Sequence, residues 1–518
     1  MVKIQGTNEF SILDTETMNF LEVSERIDRL SIEKRAFIGG RYVNATDNRM
    51  MEKISPANGR DLSGLASCQQ QDVDAAVAAA KAAYSSRVWA DRGPDAKKEV
   101  LFRLANLMEE NLEELALLDT LETGRSIRNY LYDSVPKAIK AIRWFSEAVD
   151  KFYDHAIPMR PTAFATVTRE PLGVVGLITP WNDPLVVSAW KFAPALLMGN
   201  SVVLKPAEQS SFSILKVAEL AKQAGIPDGV FNVIPGEGEV AGKALALHPD
   251  VAGIFFTGSS EVGKQILQYA GRSNMKKVGL ECGGKGPFIV SDKCRRLAEA
   301  AATLARNMFY NQGQICSAPS RLFVHADIKE AFLDQVLIAA RDYVPKDPFN
   351  PLHEVGCVVS LEQRRRIDAY IAQAVNSGAR ILMPAHDAAD LPGECAVVPT
   401  IIDRVGPDDD FVREEIFGPV LCVMAFDSMR QAIRLANDSR FGLAGSVWTD
   451  DLNEAYQVSR LLEVGIVHIN GYGDDDNTVP FGGVKESGIG KDKSLYAFEE
   501  YSATKTVWTR FEPMPFDN

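Results

Sequence analysis

The chain is 518 residues long, 46% hydrophobic and 24% charged, and its 69 acidic against 56 basic residues give a formal charge of −13. Such a length supports several domains with buried cores, the composition excludes a disordered or collagen-like chain, and the acidic excess disfavours nucleic acid as a partner. No apolar run approaches the roughly 20 residues that span a bilayer, the first 19 residues lack the basic-then-apolar order of a secretory leader, and seven scattered cysteines do not form a disulfide framework, so a cytoplasmic location is expected.

Residues 1–36 read as a polar N-terminal extension. From Asp72 an Ala-rich helix begins, and a second follows on Val100, Leu101, Leu104, Leu107 and Met108, spaced three and four apart. Short apolar strands are then predicted at Gly173–Thr179, Ser201–Lys205, Val230–Ile234 and Gly253–Phe256, with helices between them at Ser211–Ala224 and Val240–Leu247. That alternation predicts a parallel sheet covered on both faces, with ligands at the carboxyl ends of its strands. A second α/β region is predicted from about Pro287 to Asn470, including a helix over Leu297–Met308 and a strand at Arg321–His325. Two alternating segments, Ala163–Arg169 and Thr504–Thr509, fall outside both sheets and have the character of edge strands that pair with each other or with another subunit.

Five places carry chemistry. In FTGSSEVGKQ (256–265), glycines at a strand-to-helix turn let a phosphate approach backbone N–H groups. GxxxxGK is satisfied there, but Gln265 stands where Mg²⁺ coordination needs Ser or Thr, which argues against an NTPase. Upstream, Gly236, Gly238 and Gly242 miss the usual dinucleotide spacing by one residue. Lys205 and Glu208, at a strand end, suit ribose hydroxyls or a plain ion pair, and Glu208 would repel a 2′-phosphate, favouring NAD over NADP. Cys316 lies in a Gly/Pro-punctuated loop leading into a strand, where reactive groups tend to sit, whereas Cys68, Cys294, Cys357, Cys395 and Cys422 read as core residues. Glu281 precedes Gly283 and Gly284, which can admit a ligand or water; it is a candidate general base, or else an ion-pair partner of Lys285. Asn182, in PWNDP (180–184), could stabilise an oxyanion or simply form a turn. With no CxxC or HExxH and six dispersed histidines, no metal site is expected.

Together these residues resemble the aldehyde dehydrogenase superfamily from about residue 36 to about 510. The blocks that carry the resemblance, in the family's order, are PWN with its second Pro (180–184), LKPAEQS (204–210), FTGSSEVG (256–263), LECGGK (280–285), YNQGQIC (310–316), EEIFGPV (414–420) and PFGGVKESG (480–488). A finer similarity, to bacterial γ-glutamyl-γ-aminobutyraldehyde and guanidinobutyraldehyde dehydrogenases, rests on IRWFSEAVDK (142–151), SNMKKV (273–278) and TVPFGGVKESGIGKDKSL (478–495). The resemblance implies two Rossmann-like parallel-sheet domains plus a small β oligomerisation flap. It places an NAD-binding domain at 37–152 and 171–283, a catalytic domain at 284–499, and oligomerisation strands at 153–170 and 500–518 of a dimer or tetramer.

The resemblance also implies roles: Cys316 as nucleophile, Glu281 as base and Asn182 as oxyanion donor. Trp181, Lys205, Glu208, Gly238, Gly242, Gly258, Ser259, Gly263, Glu415 and Phe417 would hold NAD, with NADP less favoured. Asp183, Val186, Trp190, Tyr310, Ile315, Ser317 and Asp475 would line the substrate passage. The implied reaction is oxidation of an aldehyde to an acid through a Cys thiohemiacetal and thioester. Asp183, where relatives often carry an aromatic residue, and the acidic loop 474–476 suggest a polar or cationic aminoaldehyde of polyamine-type catabolism. The alternative for Asp183 is engagement by a backbone group or an Arg. A general aliphatic or aromatic aldehyde dehydrogenase, a cofactor-free thiol hydrolase and a non-catalytic structural protein on the same fold remain alternatives.

Overall fold

A computed structural model describes residues 20–384, 386, 391–473 and 476–512. Residues 1–19 of the expected extension, Asp474 and Asp475 in the acidic loop, and residues 513–518 of the expected terminal strand segment lie outside the described residues.

Five short strands form the centre of the first sheet: β1 (Val174–Ile178), β2 (Ser201–Lys205), β3 (Phe231–Val233), β4 (Gly253–Thr257) and β5 (Lys277–Glu281). They run parallel in the order β3-β2-β1-β4-β5. Both β1 and β2 are buried along their whole length, which is why they read as unbroken apolar runs rather than alternating ones. Helices Phe212–Ala224 and Pro184–Leu197 contribute the apolar cover, with Phe192, Phe212 and Phe231 in one core cluster. Antiparallel strands extend the sheet at both edges: Ala36–Ile38 next to β3, and Gly488–Ile489 next to β5.

The second sheet contains β6 (Pro287–Val290), β7 (Arg321–His325), β8 (Thr400–Asp403), β9 (Val420–Phe426), β10 (Ala444–Trp448) and β11 (Ile466–Ile469). These are parallel in the order β8-β9-β7-β6-β10-β11, and Arg380–Leu382 adds an antiparallel edge beside β8. Its two faces are filled by separate clusters, one around Phe288, Phe309, Phe332 and Trp448, the other around Ile289, Phe323 and Phe426. The two segments left outside both sheets by the sequence pattern pair with each other. Ser502–Arg510 lies antiparallel to Ala163–Pro171, and His155–Ile157 completes a three-stranded sheet.

One buried ion pair ties the N-terminal part of the chain to the first sheet. Glu122 is 1% exposed and accepts the backbone N–H groups of Ser211 (3.0 Å) and Phe212 (2.7 Å) where helix Phe212–Ala224 begins. Its carboxylate also holds the ammonium of Lys53, which donates to the carbonyl of Glu208 at 2.9 Å. Removing one partner of such a pair leaves the other charge stranded in low dielectric. Glu122→Ala is therefore expected to lower the unfolding free energy of this region by about 3 kcal/mol, read as a reduced urea midpoint, whereas Glu113→Ala at the exposed pair with Arg26 should leave the midpoint within error.

Candidate active site

The order of the first sheet reverses between β1 and β4: the chain moves outward one way through β2 and β3, then the other way through β4 and β5. A crevice therefore opens at the carboxyl ends of β1 and β4. Past β1 come Trp181, Asn182 and Asp183; β2 ends on Lys205, β4 leads into Gly258 and Ser259, and β5 ends on Glu281. Residues 282–286 then run directly into β6, so the carboxyl ends of the first sheet meet the amino ends of the second. Cys316 lies on that seam, in the loop that enters β7. A Cβ on Gly284 would stand 2.3 Å from the carbonyl oxygen of Cys316, so only glycine lets the 282–286 segment lie against that backbone.

The loop before Cys316 is held in an uncommon conformation. Asn311, Gln312 and Gly313 all have positive φ (50°, 55° and 66°), which costs energy at the two non-glycine residues. Buried amides hold it there. Gln312 exchanges two hydrogen bonds with the backbone of Val397 (3.0 and 2.9 Å), and Gln314 accepts from Val359 N–H (2.9 Å). The side-chain amide of Asn182 donates to the carbonyl of Gln314 at 3.0 Å, and that of Asn311 donates to the carbonyl of Asn182 at 3.1 Å. Asn182 and the Cys316 loop are thus one hydrogen-bonded unit. Cys316 is half-buried, whereas the other six cysteines are buried. Burial, with the Glu415 and Glu281 carboxylates nearby, pushes its thiol well above the usual range, against opposing backbone hydrogen bonds.

Glu281 is 6% exposed, and its Oε2 has no hydrogen-bond partner among the described residues. Burial and then the charge of Asp492 hold its carboxyl far above the ordinary range, while Lys191 and Lys491 oppose that shift. Lys191 and Asp492 form a buried pair at 2.8 Å. The alternative pairing of Glu281 with Lys285 is not formed: the buried Lys285 ammonium donates to the carbonyl of Phe411 at 2.9 Å.

On the crevice side, Lys205 and Glu208 are 3.2 Å apart, and Glu208 accepts the N–H of Gly238. Gly242 packs over Ile178 and the Lys205 side chain. Ser259 caps helix Ser260–Arg272, its hydroxyl accepting from Val262 N–H. At Gly263 a Cβ would stand 2.7 Å from Cys282 Sγ, so this glycine also allows the helix to pack on the 280–282 segment. The rings of Trp181 and Phe417 meet edge-on at 5.2 Å. Glu415 accepts Gly284 N–H at 2.9 Å, and burial raises its carboxyl to about 7. The buried hydroxyl of Thr257, at the end of β4, lacks a partner among the described residues. An acid–base pair for ribose hydroxyls, a capped helix start, an orphan hydroxyl and a ring pair at one strand reversal fit a dinucleotide.

On the substrate side Val186 needs correction, and for Asp183 the alternative of engagement by an Arg holds. Val186 belongs to the core cluster behind the helix, whereas Asp183, Val187 and Trp190 fall at i, i+4 and i+7 on one face. Val186 thus packs inward, and Val187 is the valine that shares the face of Asp183. Asp183 is not a free carboxylate: it accepts from Ser134 Oγ and stands 3.3 Å from the buried Arg125 guanidinium. Asp475 lies outside the described residues; Asp476 is 3.7 Å from Lys140 and accepts Thr478 N–H. Tyr310, Ile315 and Ser317, expected on the substrate side, are each half-buried, as Cys316 is. Residues not singled out from the sequence also enter the site. Tyr472 donates to the carbonyl of Ser317 (2.5 Å), and Arg125 donates to the Tyr310 hydroxyl (2.8 Å). Arg125 had one signal, the GR that follows an apolar helix at Gly124, and Lys191 had another, as a lone charge in PLVVSAWKFAPALL.

The family model described as "Aldehyde dehydrogenase family" matches residues 42–507. The chain is 44% identical to the NADP/NAD-dependent aldehyde dehydrogenase PuuC of Escherichia coli, over 96% of this chain and all of that protein. It is 43% identical to an aminoacetaldehyde dehydrogenase of Pseudomonas aeruginosa, over 95% and 99%. Among solved structures, a γ-glutamyl-γ-aminobutyraldehyde dehydrogenase from Burkholderia cenocepacia superposes with a TM-score of 0.93 at 47% identity, over 96% of this chain and all of the other. An indole-3-acetaldehyde dehydrogenase solved with NAD⁺ gives 0.94 at 44%, with the same coverage.

The locks on the Cys316 loop can be tested by stability. Gln312→Ala removes both partners of a buried backbone amide, and is expected to lower the unfolding free energy by about 2 kcal/mol in urea titrations. The fold, the seam between the sheets and this similarity together place the chain in the aldehyde dehydrogenase family, as an NAD-dependent oxidoreductase that converts an aldehyde to a carboxylic acid.

Proposed function

We propose that Cys316, Glu281 and Asn182 carry this oxidation, and that the substrate is a short aldehyde bearing a polar nitrogen group. The observation that carries the catalytic assignment is the hydrogen bond from the Asn182 amide to Gln314 O, which ties a neutral N–H donor to the loop of the one half-exposed cysteine. The Cys316 sulfur adds to the carbonyl carbon, and its proton leaves to solvent or a nearby carboxylate. The oxyanion formed lies within reach of the Asn182 amide and the Cys316 backbone N–H, where one such donor is worth about 3 kcal/mol. NAD, when bound, supplies the hydride acceptor. Lys205 and Glu208 suit the adenosine ribose, Gly238, Gly242, Gly258 and Ser259 the approach to the pyrophosphate, and Glu415 the second ribose, with Trp181 and Phe417 packing alongside. Glu281 then takes a proton from the water that hydrolyses the Cys316 thioester, and Cys316 leaves as thiolate.

The substrate class rests on the composition of the passage wall. Asp183, Asp133 and Asp476 line it with carboxylates held by Arg125, Lys137 and Lys140, while Trp190 and Phe481 (5.4 Å) provide an apolar stretch. A polar group at the end of a short chain matches that order better than an alkyl tail. The names of the Pseudomonas and Burkholderia relatives agree with a nitrogen-bearing aldehyde. Assembly into a homo-oligomer is proposed through the three-stranded sheet, whose edge strand Ser502–Arg510 exposes Val507 and Trp508.

A panel of 4-acetamidobutanal, 4-guanidinobutanal and hexanal with NAD, followed by NADH absorbance, tests the reading. The nitrogen-bearing aldehydes should exceed hexanal in kcat/KM by about tenfold, and a preference for hexanal would defeat the substrate class. Cys316→Ala should abolish NADH formation. Glu281→Gln should keep a pre-steady-state NADH burst while turnover falls by about 10²–10³; an undiminished steady state would remove Glu281 from its role. The pH profile adds a check. Because the Glu281 carboxyl is raised, its basic form grows as pH rises, so turnover limited by thioester hydrolysis should climb toward alkaline pH. Asp492→Asn removes a neighbouring negative charge and frees Lys191, and both changes favour the Glu281 carboxylate. The climb should therefore move to lower pH.

A further inference from the structure

We propose that Arg125 determines the charge preference of this aldehyde dehydrogenase by neutralising the carboxylates of its passage wall, so that an uncharged polar tail is accepted in preference to a free cation. The inference rests on the functional reading above and names the substrate class more narrowly.

Arg125 is 3% exposed and belongs to the short segment after the helix that ends at Gly124. Its guanidinium reaches four groups at once: Asp183 (3.3 Å), Asp133 (3.6 Å), the Tyr310 hydroxyl (2.8 Å) and, at 3.5 Å, the carbonyl of Asn182. It also lies 5.1 and 5.0 Å from the ring centroids of Tyr130 and Tyr310. Tyr310 donates in turn to Asp133 at 2.9 Å. Asp183 adjoins Asn182, and Tyr310 opens the loop that leads to Cys316, so this cluster stands beside the position of the reacting carbonyl. Its carboxylates keep some access to solvent, with Asp183 26% and Asp133 32% exposed at the side chain, while the arginine beneath them is covered. Lys137 closes the account on the outer side, 2.7 Å from Asp133.

Two acids and two bases cancel. A cation in the passage therefore meets a wall without net attraction, although the acidic residues alone would have suggested the opposite. The guanidinium is suited to this position because its fork of five N–H donors can serve two carboxylates, a hydroxyl and a carbonyl, more groups than the three donors of an ammonium. Burial makes the balance matter, because unit charges several ångströms apart are screened far less there than in water. Without Arg125, Asp183 and part of Asp133 become uncompensated, and the wall turns attractive to a cationic tail.

The test uses two aldehydes of one shape and different charge, 4-(trimethylammonio)butanal and 5,5-dimethylhexanal, assayed with NAD on the full-length enzyme. The readout is the ratio of their kcat/KM values, cationic over neutral. Arg125→Met should raise that ratio about tenfold, and Arg125→Met combined with Asp183→Asn should return it to within about threefold of the wild type. Asp183→Asn alone leaves Arg125 undercompensated and should lower the ratio at least threefold, so it decides the matter even if Arg125→Met does not fold. NAD affinity, measured by fluorescence quenching, certifies each variant as folded. A ratio changed less than twofold in folded Arg125→Met, or an unchanged ratio in Asp183→Asn, overturns the proposal. Failure of the wild type to oxidise either aldehyde, or those of the panel above, instead overturns the underlying functional reading.

Discussion

The site depends on how closely two backbones approach at the seam of the sheets. Five residues join β5 to β6, and Gly284 lies so near the carbonyl of Cys316 that no side chain fits between them. That contact fixes where the end of the first sheet sits relative to the loop that feeds the second. Glu281 is then at one side of the seam, Cys316 at the other, and the crevice at the β1/β4 reversal opens between them. The same short connection brings Glu415 to Gly284 N–H, so the second sheet also closes over the crevice. A longer linker would let the two sheets move independently and would separate the groups that a single bound aldehyde has to meet.

Around that seam, charge is buried with little water to screen it, and the effects are large. Cys316 and Glu281 are both held toward their neutral forms, chiefly by burial. A neutral thiol and a neutral acid are stable resting partners, and each becomes reactive once a proton is removed. Lys53 and Glu122 carry the same principle to a structural end: their buried pair anchors the backbone at Glu208 and the start of helix Phe212–Ala224. The strained turn at Asn311–Gln312 belongs with these. Its positive φ values persist because buried amide pairs outweigh the local cost.

Much of this was legible in the sequence, for identifiable reasons. Buried parallel strands are short apolar runs with glycine or proline at their ends, so Ser201–Lys205 and Arg321–His325 were placed to the residue. The roles assigned to Cys316, Glu281 and Asn182 came from family blocks; their spacing in the chain says nothing of their meeting across a seam. What stayed hidden were partners supplied from far along the chain. For Asp183 a free acid and engagement by an Arg both stayed open, because Arg125 and Ser134, which engage it, precede it by 58 and 49 residues. Val186 was named for the tunnel although it packs in the core, because tunnel and core positions on a mostly apolar helix differ only by a rotation, which composition does not show. Gly263 matched a phosphate-loop pattern although its missing side chain makes room for Cys282.

The segment after the second sheet explains why Glu281 can be both buried and well placed. Having left β11, the chain returns to the first sheet, where Gly488–Ile489 pairs antiparallel with Leu280 and Glu281 at the end of β5. Cys282 N–H donates to Ser487 O, and Ser487 Oγ donates to Gly283 O, so with the Leu280–Ile489 pairing the backbone on both sides of Glu281 is held by residues more than 200 positions later. The same return brings Asp492 to Lys191, whose ammonium emerges from an otherwise apolar helix beside β1. One stretch of chain thus fixes the backbone of Glu281 and supplies the charge that adds to the effect of burial on its carboxyl, while the helix beside β1 provides that charge with its counterion. Burial alone would have raised the carboxyl but left it free to turn; a hydrogen-bonded backbone alone would have placed it without tuning it. Because both effects come from one returning segment, the position and the proton affinity of Glu281 are set together by the docking of residues 480–493 onto the first sheet.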